Sequence, residues 1–567
     1  MDETDASPPN EPSAASSDSR AGSVAAGILS SRVAGLLRES AFAYYFGVSA
    51  FTDVLQVAFK SPNLIQNLLG EGTISAAFIP VYTRLLEEES PEAAGRFAGA
   101  IFGLLLAIVG VLVIVGVVAA RPLAIVLAPG YVGDAAQVAA GARAINRLDL
   151  LVDAVRIIFP MAGLATLAAW ALGILNSHRQ FFIPYVAPAL WNVSIIAALA
   201  AGALYWTGTP WTPAALASDQ LARLVLAACG GALVGGALQF GVQLPFVARH
   251  LTGFRLSLST QVHGVRDALR AFGPVVAGRG VVQLSSYLDT FLATFLAVGA
   301  LSALRFAQLF YLLPISLFGL AVAASELPEL SRLTAAARQT FAERVRRSLR
   351  QIAFLTVPTV VGYLSFGYLL VAALLQRGQF GVASTWLVWL VLGAYALGIL
   401  ASTFARLLQN AFYAVEETKT PARVAAWRVG VSTAVALPAM FLLDRVALTA
   451  VVGHPLAGEP LFLGAVGLGL GASAGAWMEL WWLRRALHAR LPALVLPWRA
   501  IGRMGLLATI VGALCTGLWW MLPAWPPLVL AGLVGGSFAG CYLAGAAALG
   551  FPEGRAWTHQ LRRRLPW

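Results

Sequence analysis

"FAGAIFGLLLAIVGVLVIVGVVA" (residues 97–119) contains no charged side chain. As an α-helix rising about 1.5 Å per residue it is long enough to cross the roughly 30 Å hydrocarbon core of a bilayer. Segments of this kind recur along the chain, near 24–46, 53–79, 97–119, 154–175, 185–206, 223–246, 271–298, 303–327, 351–375, 386–412, 424–443, 462–483, 500–521 and 527–549. The fold class that follows is an all-α polytopic membrane protein of about 14 transmembrane helices. Composition agrees. Of 567 residues, 59% are hydrophobic and 12% charged, with a mean hydropathy of +0.75, about half the charge fraction usual in soluble proteins.

The net charge of +12 would suggest nucleic acid in a soluble chain, but here Lys and Arg gather in alternate loops. Arg249, Arg255, Arg266 and Arg270 lie in one, Arg332, Arg338, Arg344, Arg346, Arg347 and Arg350 in another, and Arg484, Arg485, Arg490, Arg499 and Arg503 in a third. The loops near 299–302 and 522–526 have neither residue, and 376–385 has only Arg377. By the positive-inside rule both termini are expected in the cytoplasm, and no nucleic-acid partner is expected. Cys229, Cys515 and Cys541 lie in apolar stretches without metal-ligand spacing, so no disulfide framework is implied. Residues 1–22, rich in Ser, Pro, Ala and acidic groups, read as a disordered tail.

A faint internal echo suggests two parallel repeats, a transporter trait. "PVYTR" (80–84) is matched by "PELSR" (328–332), and "NSHRQFFIP" (176–184) by "YAVEETKTP" (413–421). The expected domains are an N-terminal six-helix lobe (23–248), a cytoplasmic linker (249–270) and a C-terminal six-helix lobe (271–490). Two extra helices (491–550) and a basic cytoplasmic tail (551–567) complete the chain.

The early spans hold charges that cost roughly 2.5–3.5 kcal/mol each at a bilayer centre. On a helix, Asp53, Gln56, Lys60, Asn63, Asn67 and Glu71 fall within an arc of roughly 80°, despite Pro62. Arg32, Gly35, Arg38 and Glu39 share an arc of about 120°. Paired charges that only hold helices together would stabilise little, whereas a one-sided row suits the wall of a water-filled cavity. Later spans add Arg279, Gln283, Asp289, Arg305 and Gln308. Arg32, Arg38, Arg279 and Arg305 are expected to offer guanidinium groups from both lobes to one central space, chemistry that suits a phosphate-bearing ligand. Enzyme readings fare poorly, since there is no P-loop, HExxH or GxSxG motif and the six histidines are scattered over expected loops and span ends.

Six blocks in order then resemble the lipid II flippase family (MurJ/MviN). They are "SRVAGLLRES" (31–40), "TDVLQVAFKSPNLIQNLLGEGTISAAFIPVY" (52–82), "FPMAGLATLAAWALGILNSHRQFFIPYVAPALWNVS" (159–194), "QLPFVAR" (243–249), "LLQRGQFG" (374–381) and "AFYAVEETKTP" (411–421). The resemblance implies the multidrug/oligosaccharidyl-lipid/polysaccharide exporter fold, two six-helix lobes in a V, with two extra helices forming a groove for a polyprenyl tail. It implies movement of undecaprenyl-pyrophosphate-linked peptidoglycan precursor (lipid II) from the cytoplasmic to the periplasmic leaflet of the bacterial inner membrane. Arg32, Arg38, Asp53, Lys60 and Glu71 occupy positions where the family also has polar cavity residues. The chain departs from the family at Glu39, usually Asp; at Gln66 and Asn67, usually basic; and at Leu309, usually Arg. Arg305, one turn earlier, and Arg279 are the expected replacements.

The expected mechanism is alternating access, with the cavity residues Arg32, Arg38, Glu39, Asp53, Lys60, Asn67, Glu71, Arg279 and Arg305 holding the head group. No cofactor is expected. Asp289 is the candidate for Na⁺ or H⁺ coupling, and the membrane potential, about 2.3 kcal/mol per charge per 100 mV, is a further drive. Expected partners are lipid II, membrane lipids and cell-wall synthesis proteins. The alternatives are a flippase for another polyprenyl-linked oligosaccharide, or a cation-coupled drug exporter, which would favour an acidic, aromatic cavity.

Overall fold

The computed structural model describes residues 14–320, 338–414, 417–453, 455–456, 460–490 and 495–556; at 14–26, 28, 214, 274–275, 277–286, 318–320, 338–339 and 490 it describes the backbone alone. All regular structure among these residues is helical, apart from an isolated antiparallel bridge between Ala447 and Phe462. The chain packs as two compact units. One takes the chain up to Phe42 together with Val54–Leu288; the other takes Ala43–Asp53 and everything from Asp289 onward.

The first unit contains most of α1 (Ala14–Phe46), most of α2 (Ala50–Leu69), α3 (Glu71–Ala77), α4 (Ile79–Glu88), α5 (Pro91–Val118), α6 (Ala120–Leu127), α7 (Asp134–Ala139), α8 (Arg147–Ile158), α9 (Met161–Ser177), α10 (Phe182–Thr207), α11 (Ser218–Gly241), α12 (Leu244–Ala248) and most of α13 (Val265–Ala293). The expected second span (53–79) is broken. α2 stops at Gly70 (φ −86°, ψ −154°), where a Cβ would lie 2.2 Å from the Gln66 carbonyl oxygen, and Glu71 opens a new helix. Ser90 starts α5 by accepting from the Ala93 N–H, with Pro91 behind it at the first helical position. The core of this unit gathers Ile74, Phe78, Tyr82, Phe97, Trp170 and Ile174, and the Trp170 indole donates to the Ala98 carbonyl at 3.2 Å. Between α6 and α8, Arg147 pairs with buried Asp134 through two nitrogens, at 2.6 and 3.0 Å, with its guanidinium 4.1 Å from the Tyr131 ring.

The connector after α12 does not hang free. Gly95, Gly99 and Gly103, one per turn of α5, would each push a Cβ to within 2.3 Å of the carbonyl oxygens of Thr252, Arg255 and Ser257. A glycine groove thus seats the connector backbone along a membrane-length helix. Gly264 ends it against Val81, Leu85 and Phe97. The sequence places a linker at 249–270; the helix in fact resumes at Val265.

The second unit contains α14 (Ala300–Pro314), a π-helical turn (Ile315–Leu320), α15 (Arg338–Leu375), α16 (Val382–Ala414), α17 (Lys419–Leu443), α18 (Leu448–Val452), α19 (Gly464–Arg490), α20 (Trp498–Met521) and α21 (Pro527–Ala548). α17 and α19 approach closely through Gly467, Gly471 and Gly475, whose Cβ positions meet Ala439, Met440, Ser432 and Ala436, the small-residue packing that holds helices together where lipid supplies no hydrophobic drive. α20 and α21 pack on α15 around Phe354, Phe538 and Tyr542, and the Tyr542 hydroxyl donates to the Phe354 carbonyl at 3.2 Å. Pro314 has no N–H for the Phe310 carbonyl one turn before it, and the Tyr363 hydroxyl takes that place at 2.9 Å. α15 kinks at Phe366 (φ −136°, ψ 21°), and the Tyr363 carbonyl beside the kink accepts from the Trp389 indole at 2.8 Å.

Ten segments among the described residues are long and apolar enough to cross a membrane: α5, α8–α9, α10, α11–α12, α14 with the start of the π turn, α15, α16, α17, α20 and α21. The other four expected spans fall on α1, α2–α3, α13 and α19. The chain is a multi-pass helical membrane protein.

Candidate functional site

Arg38 on α1 is the centre of the best-built polar site in the first unit. Its side chain is 12% exposed. One terminal nitrogen donates to the Glu39 carboxylate at 2.6 Å and the other to the Asn192 Oδ1 on α10 at 3.0 Å. Asn192 is buried, and its own amide donates to the Pro188 carbonyl at 3.2 Å. Three rings surround the guanidinium: Trp191 at 4.8 Å, Phe42 at 5.7 Å and Phe59 at 6.0 Å from their centroids. A charged hydrogen bond to a carboxylate and a desolvated cation–π contact are each worth about 2 kcal/mol, which offsets the cost of holding this charge among apolar helices.

The other candidates in this unit take different places. Arg32 is exposed, one and a half turns before Arg38. Lys60 is partly buried, with its ammonium 5.5 Å from the Tyr287 ring, and the Tyr287 hydroxyl donates to the Lys60 carbonyl at 2.8 Å. Asn67 is partly buried near the end of α2; Glu71 is exposed in the first turn of α3, where its charge favours the positive end of the helix dipole. Arg279 lies on α13, but its side chain falls outside the described residues.

Asp53 packs in the second unit. It is 2% exposed, and its carboxylate accepts from the Gly299 N–H at 2.7 Å, the Ser302 N–H at 2.8 Å and the Ser302 hydroxyl at 2.5 Å. It thus serves as the N-terminal cap of α14, arriving from 246 residues away. On the same stretch of chain, the Tyr44 carbonyl accepts from the Gln379 N–H at 2.9 Å, and Gly378 (φ 58°) leaves room for that approach. The "LLQRGQFG" block is a turn shaped for this contact. Arg305 on α14 is partly buried. Gln308 donates to the Tyr395 hydroxyl at 3.1 Å, Tyr311 and Ser402 share a hydrogen bond at 3.2 Å, and Asp289 lies near enough for its charge to act on Tyr395.

Sequence reasoning passed over several polar groups. Asn192 and Trp191 sit in a quoted block, "ALWNVS", yet are neutral and so stand out little from the apolar run. Glu479 on α19 is 1% exposed and holds Gln409 and Arg428, both at 2.7 Å; a lone carboxylate in "WMELWW" was the available signal. His178 and His250 stack with centroids 4.1 Å apart. The Tyr82 hydroxyl lies 3.0 Å from the His178 Nε2, and the Gln180 amide 2.9 Å from the His250 Nε2. Burial, and next the neighbouring His250, hold the His178 pKa below its ordinary value. Beyond α17, burial raises the Asp444 carboxyl, an effect opposed by the Ala297 N–H that it accepts.

Known proteins share both this sequence and this fold. A family model described as "Lipid II flippase MurJ" matches residues 42–530. A "Probable lipid II flippase MurJ" from Rhizobium tropici is 32% identical over 72% of this chain and 73% of its own length. A "Lipid II flippase MurJ" from Burkholderia cenocepacia is 30% identical over 70% of this chain and 73% of its own. Among solved structures, "Lipid II flippase MurJ, inward closed conformation" matches with a TM-score of 0.66, covering 93% of this chain and 99% of that one at 20% identity, a likeness of fold. With a family match that spans most of its length and a relative 32% identical over 72% of it, the chain belongs to the lipid II flippase MurJ family.

Proposed function

We propose that this chain is a transporter that moves lipid II from the cytoplasmic to the periplasmic leaflet of the bacterial inner membrane for peptidoglycan synthesis. No covalent bond changes in such a step. The polar site is exposed to the two sides of the membrane in turn, while the undecaprenyl tail stays in lipid. The observation that carries the reading is Arg38: an arginine held by Glu39, Asn192 and three aromatic rings inside an apolar helix, in a chain of this family. A charge so costly in lipid is retained where a ligand passes. Arg32 and Lys60 supply further cationic charge for the diphosphate, with Asn67, Glu71, Arg279 and Arg305 as further contacts. Asp289, whose charge acts on Tyr395, is the proposed Na⁺ or H⁺ coupling site, with the membrane potential as an additional drive. Both termini are placed in the cytoplasm, and cell-wall synthesis proteins are the proposed partners.

Complementation of a flippase-depleted bacterium tests this. The native chain restores growth and Arg38→Ala, at equal membrane abundance, does not; rescue by both would remove Arg38 from the mechanism, and rescue by neither would count against lipid II as cargo.

A further inference from the structure

The connector after α12 carries a histidine near each end, and the two have opposite needs. His250 begins it, and His263 closes it just before Gly264 leads into α13. The His250 ring lies on that of His178, from the α9–α10 turn, with centroids 4.1 Å and planes 15° apart. α4 joins through Tyr82, whose hydroxyl is 3.0 Å from the His178 Nε2. The Gln180 amide nitrogen, which only donates, is 2.9 Å from the His250 Nε2, so that ring accepts there and carries its proton on Nδ1.

This arrangement suits neutral rings. A proton on the His250 Nε2 would set it against the Gln180 N–H, and charge on both rings would place two cations face to face. The charged neighbours along the chain are Arg179 and Arg249, the latter with its guanidinium 5.5 Å from the Phe246 ring; both oppose further positive charge. Among the described residues neither ring pairs with a carboxylate. Burial, and next the His250 ring, already hold the His178 pKa below its ordinary value. At the far end of the connector the chemistry is reversed. The His263 Nε2 lies 3.2 Å from the Glu89 Oε1, a contact that gains charge attraction when the imidazole takes a proton. That exposed pair is weak by itself, but Gly264 beside it is packed against Val81, Leu85 and Phe97.

We propose that the His178–His250 stack is a proton-operated clasp on the connector. Near neutral pH it fastens the start of the connector to α4 and to the α9–α10 turn. In acid it opens, and the chain swings from the His263–Glu89 end, which stays shut. On the orientation proposed above, the acidity it senses is that of the cytoplasm.

A spin label tests this in the full chain, held in lipid nanodiscs that expose both faces to one buffer, so that the outcome does not depend on that orientation. Cys541, the exposed cysteine of the three, is replaced by Ala. The label is placed at Thr252→Cys, next to the clasp, or at Gln261→Cys, near the far end; both positions are exposed. From pH 7.5 to 5.5 the Thr252 label is expected to gain a mobile component. Its mobile-to-immobile ratio should rise roughly tenfold per pH unit below the midpoint, the slope of one proton. The Gln261 label is expected to keep its spectrum. Gln180→Glu supplies a carboxylate that accepts from a charged His250, and should hold the Thr252 label still at pH 5.5. His250→Phe keeps a ring on His178 without a titrating nitrogen, and should flatten the response. An unchanged native spectrum, an equal gain of mobility at both labels, or the native response retained in either variant would each overturn the clasp.

Discussion

Asn192 uses both ends of its amide, accepting from Arg38 through Oδ1 and donating to the Pro188 carbonyl through Nδ2. Replacing it by Leu keeps its bulk and strips Arg38 of an acceptor, leaving a buried charged donor unmade at a cost of about 1–3 kcal/mol. Asn192→Leu should therefore lower the thermal unfolding midpoint and fail in complementation, while Asn192→Asp, which keeps the oxygen, should retain growth; equal performance of the two would show that the guanidinium needs no acceptor there. Arg38 and Glu39 were legible in the sequence because charge in an apolar run is conspicuous. Asn192 was not, because it is neutral and lies 154 residues from its partner. Asp53 shows the opposite failure. Its periodicity placed it on a polar face with Lys60 and Glu71, but periodicity cannot tell a cavity wall from a helix cap. Only the fold brings the N–H groups of Gly299 and Ser302 to its carboxylate.

Among elements, hydropathy located most helices and missed where backbones break. The stretch 53–79 reads as one span because its apolar content is continuous, yet Gly70 ends α2 in the middle of it. The turn that joins α9 to α10 carries a device that hydropathy and charge pattern do not reveal. His178 packs between Tyr82 of α4 and His250, with Gln180 on the far imidazole and Arg179 beside it at φ 59°. Two imidazoles stacked this closely resist a shared positive charge. Because the folded pKa of His178 lies below the ordinary 6.5, the unfolded chain binds more protons between those two values. Stability is therefore full above about pH 6.5 and falls as pH drops through that window. Unfolding midpoints measured from pH 8 to 5.5 should decline below pH 6.5 in the native chain and less steeply in His178→Gln. Parallel curves would show that other groups carry the dependence.

For the molecule as a whole, the class of fold and the order of elements followed from segment length and charge alone, while the partition into units did not. The sequence suggests a boundary in the linker, at 249–270. The structure divides the chain between Leu288 and Asp289, inside α13, and gives residues 43–53 to the second unit, because the contacts of Asp53 and Tyr44 reach hundreds of residues ahead. The connector at 252–257 belongs to the first unit, seated on Gly95, Gly99 and Gly103. What looks like slack rope between two halves is in effect a zipper already closed. An epitope tag spliced in after Phe254 should prise it open and abolish membrane accumulation, whereas the same tag after Thr260, in an exposed turn, should be carried without loss, as immunoblots of isolated membranes would report. Anyone mapping sidedness with reporters spliced into this stretch would, at the first of those positions, be measuring damage rather than topology.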